Sequence, residues 1–394
     1  MDVQSFVSTR AGRIIQQQAG KDGFSAFIPA RLPPVPGLEL TGGLRDLLEH
    51  ASISLGRLDG VSASLDPDRL LYIYVRKEAV LSSQIEGTQS TLSDLLRFEA
   101  EGAPGMPLDD VREVSRYVAA LHHGFNLLRG GLPVSLRLVR ELHRVLMQEG
   151  RGSTRAPGDF RRSQNWIGGS RPGNARFVPP PPHEMMIALD NLERFIHDQP
   201  ERTPPLLKAG LAHAQFETIH PFLDGNGRVG RLLITLLLCA EGALTQPFLY
   251  LSLYFREHRA KYYELLQRVR TDGDWESWME FFLTGVAEVS AQATATTRAL
   301  LARFEKDRER ILIRRGSGSV LTLFEFLRGR VITTIPRAAK ELNLTHPTVT
   351  TALRRLEDME IVREITGRPR ARVYVYQQQL DILNQGIAGQ LLPD

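Results

Sequence analysis

The chain is expected to fold as a mainly α-helical protein with a β-hairpin flap and a small C-terminal unit of helices and strands. Three observations carry this expectation. Apolar residues recur at helical spacing over residues 70–86 and 205–218. The helical stretches on either side of residues 220–231 enclose a glycine-rich run. After the Gly316-Ser317-Gly318-Ser319 break, three short helix-compatible segments precede two β-capable ones.

Each element has its own justification. Residues 70–86 carry Leu70, Leu71, Tyr74, Val75, Ala79, Val80, Leu81 and Ile85, a helical pattern that stops at Gly87. Residues 159–182 hold two β-capable pieces around a Gly/Ser/Pro/Asn turn, which predicts the hairpin, and Pro179 to Pro182 form a stiff return from it. Leu206, Leu207, Leu211, Ala214 and Phe216 predict a helix from Pro205 to about Thr218. Leu232 to Ala240, apolar except for Thr235, reads as a buried helix. Ser290 to Arg315 is rich in Ala, Arg and Glu and is helix-prone. Beyond the break, Leu321–Leu327, Ile335–Leu342 and Pro347–Met359 read as helices, with a turn at Asn343–His346 and Thr345 as an N-cap. Strands are expected at Ile361–Ile365 and Arg372–Tyr376, around Thr366-Gly367-Arg368-Pro369-Arg370. This last unit is similar to a winged helix-turn-helix. That likeness would put Thr348, Thr350, Thr351 and Arg354 on or near a recognition helix, and Arg368, Arg370 and Arg372 on the wing.

Composition sets the outer bounds. At 394 residues there is room for two or three domains, each with a core of its own. A net charge of +4 permits nucleic-acid binding without diagnosing it, and Glu357, Asp358, Glu360 and Glu364 offset the arginines of the C-terminal unit. The single Cys239 excludes a disulfide within the chain and is expected to be a packed thiol. The first ten residues lack a hydrophobic signal region, and the apolar run after Arg231 is too short to span a bilayer. A cytoplasmic protein with no membrane partner is therefore expected.

The densest chemistry lies in His220-Pro-Phe-Leu-Asp224-Gly225-Asn226-Gly227-Arg228-Val-Gly-Arg231. Read as a loop ahead of a helix, it sets unpaired amides and the positive end of a helix dipole beside any bound anion. Gly225 and Gly227 lack Cβ atoms, so the backbone can approach a phosphate closely, and Asn226 can hold the turn and donate as well. Asp224 is a hard oxygen ligand suited to Mg²⁺ carried in on a nucleotide. Arg228 and Arg231, three apart, can both face a phosphate chain. His220 is the natural general base, and Phe222 is expected to anchor the loop in the core. A GxG turn or a lone histidine is by itself usually structural, so the weight rests on the combination.

This run resembles the Fic family signature His-x-Phe-x-(Asp/Glu)-Gly-Asn-Gly-Arg-x-x-Arg at every specified position. The resemblance implies a Fic-type helical core and a protein adenylyltransferase. His220 would deprotonate a Ser, Thr or Tyr hydroxyl of a target protein, which attacks the α-phosphorus of ATP. Asp224 would position Mg²⁺. Gly225, Asn226, Gly227 and Arg228 would stabilise the phosphate charge, and Arg231 would hold the γ-phosphate. Upstream, Ser82-Ser83-Gln84-Ile85-Glu86-Gly87 is similar to the family's inhibitory motif (Ser/Thr)-x-x-x-Glu-(Gly/Asn), which implies that Glu86 pairs with Arg231 and restrains the enzyme. The same likeness allows Glu86 to orient a water for removing AMP. Residues 159–182 resemble the Fic flap, whose edge pairs with the target backbone, with Trp166 and Ile167 clamping the target side chain. Residues 256–263 resemble the helix beside the adenine pocket, although relatives often carry Asn where this chain has His258; of Tyr262 and Tyr263, Tyr262 is expected to line the pocket.

The expected organisation is an N-terminal helical region with the inhibitory motif at 1–131, the Fic catalytic core at 132–287, a helical linker at 288–319 and the winged unit at 320–380. Expected partners are a target protein, the chain itself as a self-modification target, DNA at the C-terminal unit, and a second copy in a homodimer. Two rival functions stay open: a DNA-binding regulator whose core senses or modifies itself, and an enzyme that removes AMP or transfers another nucleotide.

Overall fold

The computed structural model describes residues 10–17, 23–63, 67–101, 108–149, 154–314 and 318–385. It opens with an antiparallel hairpin of β1 (Gly12–Gln17) and β2 (Phe24–Pro29), where only helices were expected. Phe27 on β2 packs with Phe177, so this hairpin buttresses the segment expected to be the flap. Four helices follow: α1 (Gly42–Ala63), α2 (Pro67–Ile85), α3 (Leu92–Glu101) and α4 (Leu108–Arg129). The expected 70–86 helix is α2. The side chains of Leu70 and Leu71 lie outside the described residues, but every residue from Ile73 to Ser83 is buried. α2 is thus a central strut, packed against α4, α9 (Ser252–Glu257) and α12 (Gly318–Arg330), and its Tyr74 hydroxyl reaches Thr297 on the long α11 (Trp275–Leu312).

The middle of the chain adds α5 (Leu136–Leu146), α6 (Pro182–Ile196), α7 (Pro205–Ile219), α8 (Asn226–Ala240) and α10 (Arg259–Asp272). α7 and α8 pack side by side as a buried pair: all of α7 after Pro205 is buried, which only a helix surrounded by other elements can do. The expected flap hairpin is reduced to one bridge, Ile167 to Phe177, around a short 3-10 turn at Pro172–Asn174. Its proline-rich return leaves few amides for a ladder.

At the C-terminal end the elements run α12, β3 (Ile332–Thr334), α13 (Ile335–Leu342), α14 (His346–Asp358), β4 (Arg363–Glu364), β5 (Val373–Val375) and α15 (Gln377–Asn384). The strands form an antiparallel sheet in the order β3-β5-β4. Thr345 caps α14 as expected, its side chain accepting from the Thr348 amide. β3 and α15 were not foreseen. Of the expected interdomain break, residues 316 and 317 lie outside the described residues, while Gly318 and Ser319 already belong to α12. No described helix is long and apolar enough to cross a membrane.

Candidate active site

The site forms where α7 ends and α8 begins. The loop is shorter than expected, residues 220–225, because α8 already starts at Asn226 and takes the second glycine, Gly227, into its first turn. Asn226 explains the early start. Its Oδ1 accepts from the Phe222 amide at 2.8 Å and its Nδ2 donates to the Phe222 carbonyl at 2.8 Å, so the side chain closes a five-residue ring. Both ends of the Asn226 amide are used in this way, which makes it a clamp on the loop. Gly225 precedes the helix at φ 78°, the left-handed region where glycine carries no Cβ penalty. Phe222 is buried and stacks on His143 with ring centroids 3.7 Å apart.

His220 is the C-cap of α7 and itself sits at φ 51°, an unusual conformation for a side-chain-bearing residue. Arg161 holds it there. The Arg161 Nε donates to the His220 carbonyl at 3.0 Å, and the Arg161 amide donates to the Pro221 carbonyl at 2.9 Å. The His220 Nδ1 is 3.4 Å from the Glu217 carbonyl, which can only accept, so Nδ1 carries the proton and Nε2 keeps its lone pair. Burial, reinforced by the Arg270 guanidinium, pushes the His220 pKa down to about 4. The imidazole is therefore in its basic form at neutral pH.

The two arginines in the first turns of α8 are buried and engaged. Arg228 Nη1 donates to Glu113 on α4 at 2.7 Å, and Nη2 lies 3.7 Å from Asp224 Oδ1. Arg231 reaches α2 with three bonds: Nε to Ser82 Oγ at 2.8 Å, Nη2 to the Ser82 carbonyl at 3.0 Å, and Nη2 to Glu86 Oε1 at 2.6 Å. Burial pushes the Glu86 carboxyl up, but the Arg231 charge outweighs it and holds the group below the ordinary carboxylate range. A methyl group at Gly227 would collide with Glu86 Oε1. The Glu86 carboxylate thus rests on the first turn of α8, where a bound anion would meet free amides. Gly87 follows at φ 102° and turns the chain out of the helix. Asp224 stands at the loop mouth with its side chain 39% exposed, Oδ1 accepting from the Gly225 amide.

Two expected contacts need correction. Tyr262 is 1% exposed, with its ring among Phe255 and Trp278 and its hydroxyl 2.9 Å from His213 Nε2. It belongs to the aromatic core, and its neighbour Tyr263, 38% exposed, is the ring that faces outward. Ile167 packs into the small cluster of Ala11, Phe27 and Phe177 rather than standing free beside Trp166, whose ring is exposed. Alternation along the flap sends one of two adjacent side chains inward.

Other residues build the site without being foreseen. His143 on α5 accepts the Gly158 amide at Nδ1 (2.9 Å) and so donates from Nε2 to the Asp224 carbonyl (3.1 Å). Arg270 donates to the Glu217 carbonyl and to Thr218 Oγ1 at the end of α7. Glu217 is buried three residues ahead of His220, with an oxygen that lacks a hydrogen-bond partner, and burial pushes its pKa up to about 7. Leu-His at 142–143 and Phe-Glu at 216–217 are ordinary helix sequence, so no local signal marks them.

Fold and site together define a mainly helical protein in which the glycine-bearing N-terminus of α8 lies beside a neutral histidine. Residues 45–126 match the Fic/DOC family N-terminal region and residues 133–238 match the Fic/DOC family itself. The chain thus carries a Fic/DOC N-terminal region followed by a Fic/DOC domain. It is 32% identical over 179 residues to "Protein adenylyltransferase Fic" of Aedes aegypti, covering 45% of this chain and 33% of that protein. It is 29% identical over 200 residues to the protein of the same name from Drosophila erecta, covering 50% and 37%. The chain thus spans about a third of the length of these curated relatives. Its fold is similar to a Fic family protein from Desulfovibrio desulfuricans G20, with a TM-score of 0.57 at 20% identity over 86% of this chain and 97% of that one.

Proposed function

We propose that the chain transfers AMP from ATP to hydroxyl groups of proteins, and that Glu86 restrains this reaction. The observation that carries the reading is the joint placement of a neutral His220 and the α8 amide cradle. In the productive complex His220 Nε2 takes the proton of the target hydroxyl, and the oxygen attacks the α-phosphorus. The bond from that phosphorus to the pyrophosphate oxygen breaks, and pyrophosphate leaves. The first-turn amides of α8 and Arg228 stabilise the developing charge. Arg231 holds the γ-phosphate once Glu86 has left it. Asp224, a single partly exposed carboxylate at the loop mouth, fits Mg²⁺ brought in on the phosphates, which would neutralise their charge. Trp166, whose ring is exposed on the flap, would meet the target's side chain while the flap edge meets its backbone. The brake reading is supported by Glu86 occupying both the Arg231 guanidinium and the space over Gly227.

The test uses ATP labelled in either the α- or the γ-phosphate. Transfer to the chain itself or to a lysate protein from the α label only, abolished in His220→Ala, is the expected result. Transfer of the γ label, or α transfer that survives His220→Ala, would refute the reading.

A second reading, removal of AMP, is favoured by one observation: the Glu86 carboxylate stands over the first turn of α8, directly after the loop that His220 opens, so the two groups could share a water. For the C-terminal unit, the order of helices and strands supports a winged helix-turn-helix. Exposed Arg363, Arg368, Arg370 and Arg372 would face a phosphate backbone, and a salt-dependent shift of duplex DNA tests that partner.

A further inference from the structure

The inhibitory helix α2 does not stand alone. Its one face carries Glu78, Ser82 and Glu86 toward Tyr117, Ser252 and Arg231. Its other side is held by the C-terminal unit. Lys77, buried and stacked over the Tyr250 ring, donates from Nζ to the Leu383 carbonyl near the end of α15 at 3.1 Å. Arg330 at the end of α12 lies over the Tyr72 ring, 4.7 Å from its centroid. α12 packs along α2, while β3 and β5 pack against α3. Arg337 on α13 donates to the Glu99 carbonyl of α3 at 3.1 Å, and Glu99 in turn pairs with Arg76 of α2 at 2.8 Å.

A helix held so firmly on one side can move on the other only when the grip changes. The grip is also incomplete. A cavity of about 270 Å³ lies between Lys77, Leu81 and Gln84 of α2, Leu92 and Ser93 of α3, and Asn384 of α15. Behind the segment that carries Glu86 there is therefore room for α2 and its 86–91 exit to shift. Ser82 makes the coupling direct, because its hydroxyl and carbonyl both fix Arg231. A small displacement of α2 moves Ser82 and Glu86 off the guanidinium together.

We propose that the C-terminal unit sets the resting position of the α2 brake, so that loosening its hold on Tyr72, Lys77 and Glu99 frees Arg231 with no change in the catalytic loop. This rests on the reading of Glu86 as a brake on AMP transfer. Anything that pulls on the C-terminal unit would then be felt at the nucleotide site, through a two-position helix.

The test is the triple variant Lys77→Met/Arg330→Ala/Arg337→Ala in the full chain, made with and without Glu86→Gly. Two quantities are followed: the rate of self-labelling from ATP, and hydrogen exchange of residues 72–88. The expected result is faster exchange in that segment and a rise in labelling of about 2- to 30-fold, the range typical of such coupling. In the Glu86→Gly background no further rise is expected. Faster exchange with unchanged labelling overturns the proposal. So does unchanged exchange, since these contacts would then not be the grip, and so does an equal rise in the Glu86→Gly background. If Glu86→Gly itself takes no label from ATP, the AMP-transfer reading fails. Exchange of residues 82–88 still reports whether the C-terminal unit holds the helix.

Discussion

Replacing Glu86 by glycine is the sharpest perturbation the structure offers. Arg231 loses one of three bonds, the 2.6 Å one to a carboxylate, and keeps both bonds to Ser82. A hydrogen bond between charged groups contributes about 1.5–3 kcal/mol. The Glu86 side chain is 34% exposed, so screening places this pair at the low end, about 1.5 kcal/mol. That is about a tenfold change in the fraction of Arg231 free for a γ-phosphate. Removing a carboxylate from the space over Gly227 also removes its repulsion of an incoming anion, so tenfold is a lower bound. The assay is the initial rate of AMP addition, followed by intact mass with Mg²⁺ and subsaturating ATP. Wild type, Glu86→Gly and Glu86→Gly/His220→Ala are compared. A Glu86→Gly rate within about twofold of wild type would refute the reasoning, because it would mean the ion pair does not compete with ATP. Label in the double variant would remove His220 as the base. Because the Arg231 charge keeps Glu86 below the ordinary carboxylate range, the pair holds at neutral pH and is lost only as acid protonates the carboxylate.

Three other outcomes follow from the same geometry. His143 and His213 are fully buried and neutral, with pKa values pushed down by burial to about 4 and about 3. The unfolded chain binds protons on both from about pH 6.5 downward while the folded one does not, which lowers stability by roughly 2–4 kcal/mol between pH 7 and 5. Buried Glu78 and Glu217, pushed up to about 7, take up protons in the folded chain over the same range and oppose this, so denaturant midpoints at the two pH values are compared for wild type and Glu217→Gln, the variant being expected to lose more. His143→Ala frees both the Gly158 amide and the Asp224 carbonyl, and is expected to cost about 2–4 kcal/mol of stability and to lower kcat more than it raises the KM for ATP. A pure KM effect would count against a loop-positioning role. Tyr262→Phe removes a buried bond to His213, so it is expected to lower stability by about 1 kcal/mol yet leave ATP affinity unchanged; weakened ATP binding would return Tyr262 to the pocket wall.

The pattern of what could be read from sequence follows from how far apart the interacting residues lie. His220 to Arg231 were legible because their chemistry is local: one loop, one helix start, one turn between the arginines. α7 and α8 were legible because their apolar spacing reflects burial. Glu86 was the exception among distant contacts. Its partner lies 145 positions away, and only the likeness of Ser82 to Gly87 to a known motif tied the two together. Without such a motif, Glu113, Arg161 and Arg270 left no trace, although each anchors an arginine, a helix end or a carbonyl of the site. An arginine that caps a distant helix looks in sequence like any surface arginine. Tyr262 and Tyr263 show a different limit. Adjacent helical residues diverge by about 100°, and choosing the inward one requires knowing where α11 packs, which no pattern within residues 256–263 contains. The N-terminal hairpin fails for a third reason. β1 and β2 are six residues each, and contacts with Phe177, Val178, α6 and α7, all remote in sequence, make them worth forming. Each of these misses concerns a residue whose role is set by a neighbour remote in sequence. The pull of the C-terminal unit on α2 is an interaction of that same kind, spanning 306 positions between Lys77 and Leu383.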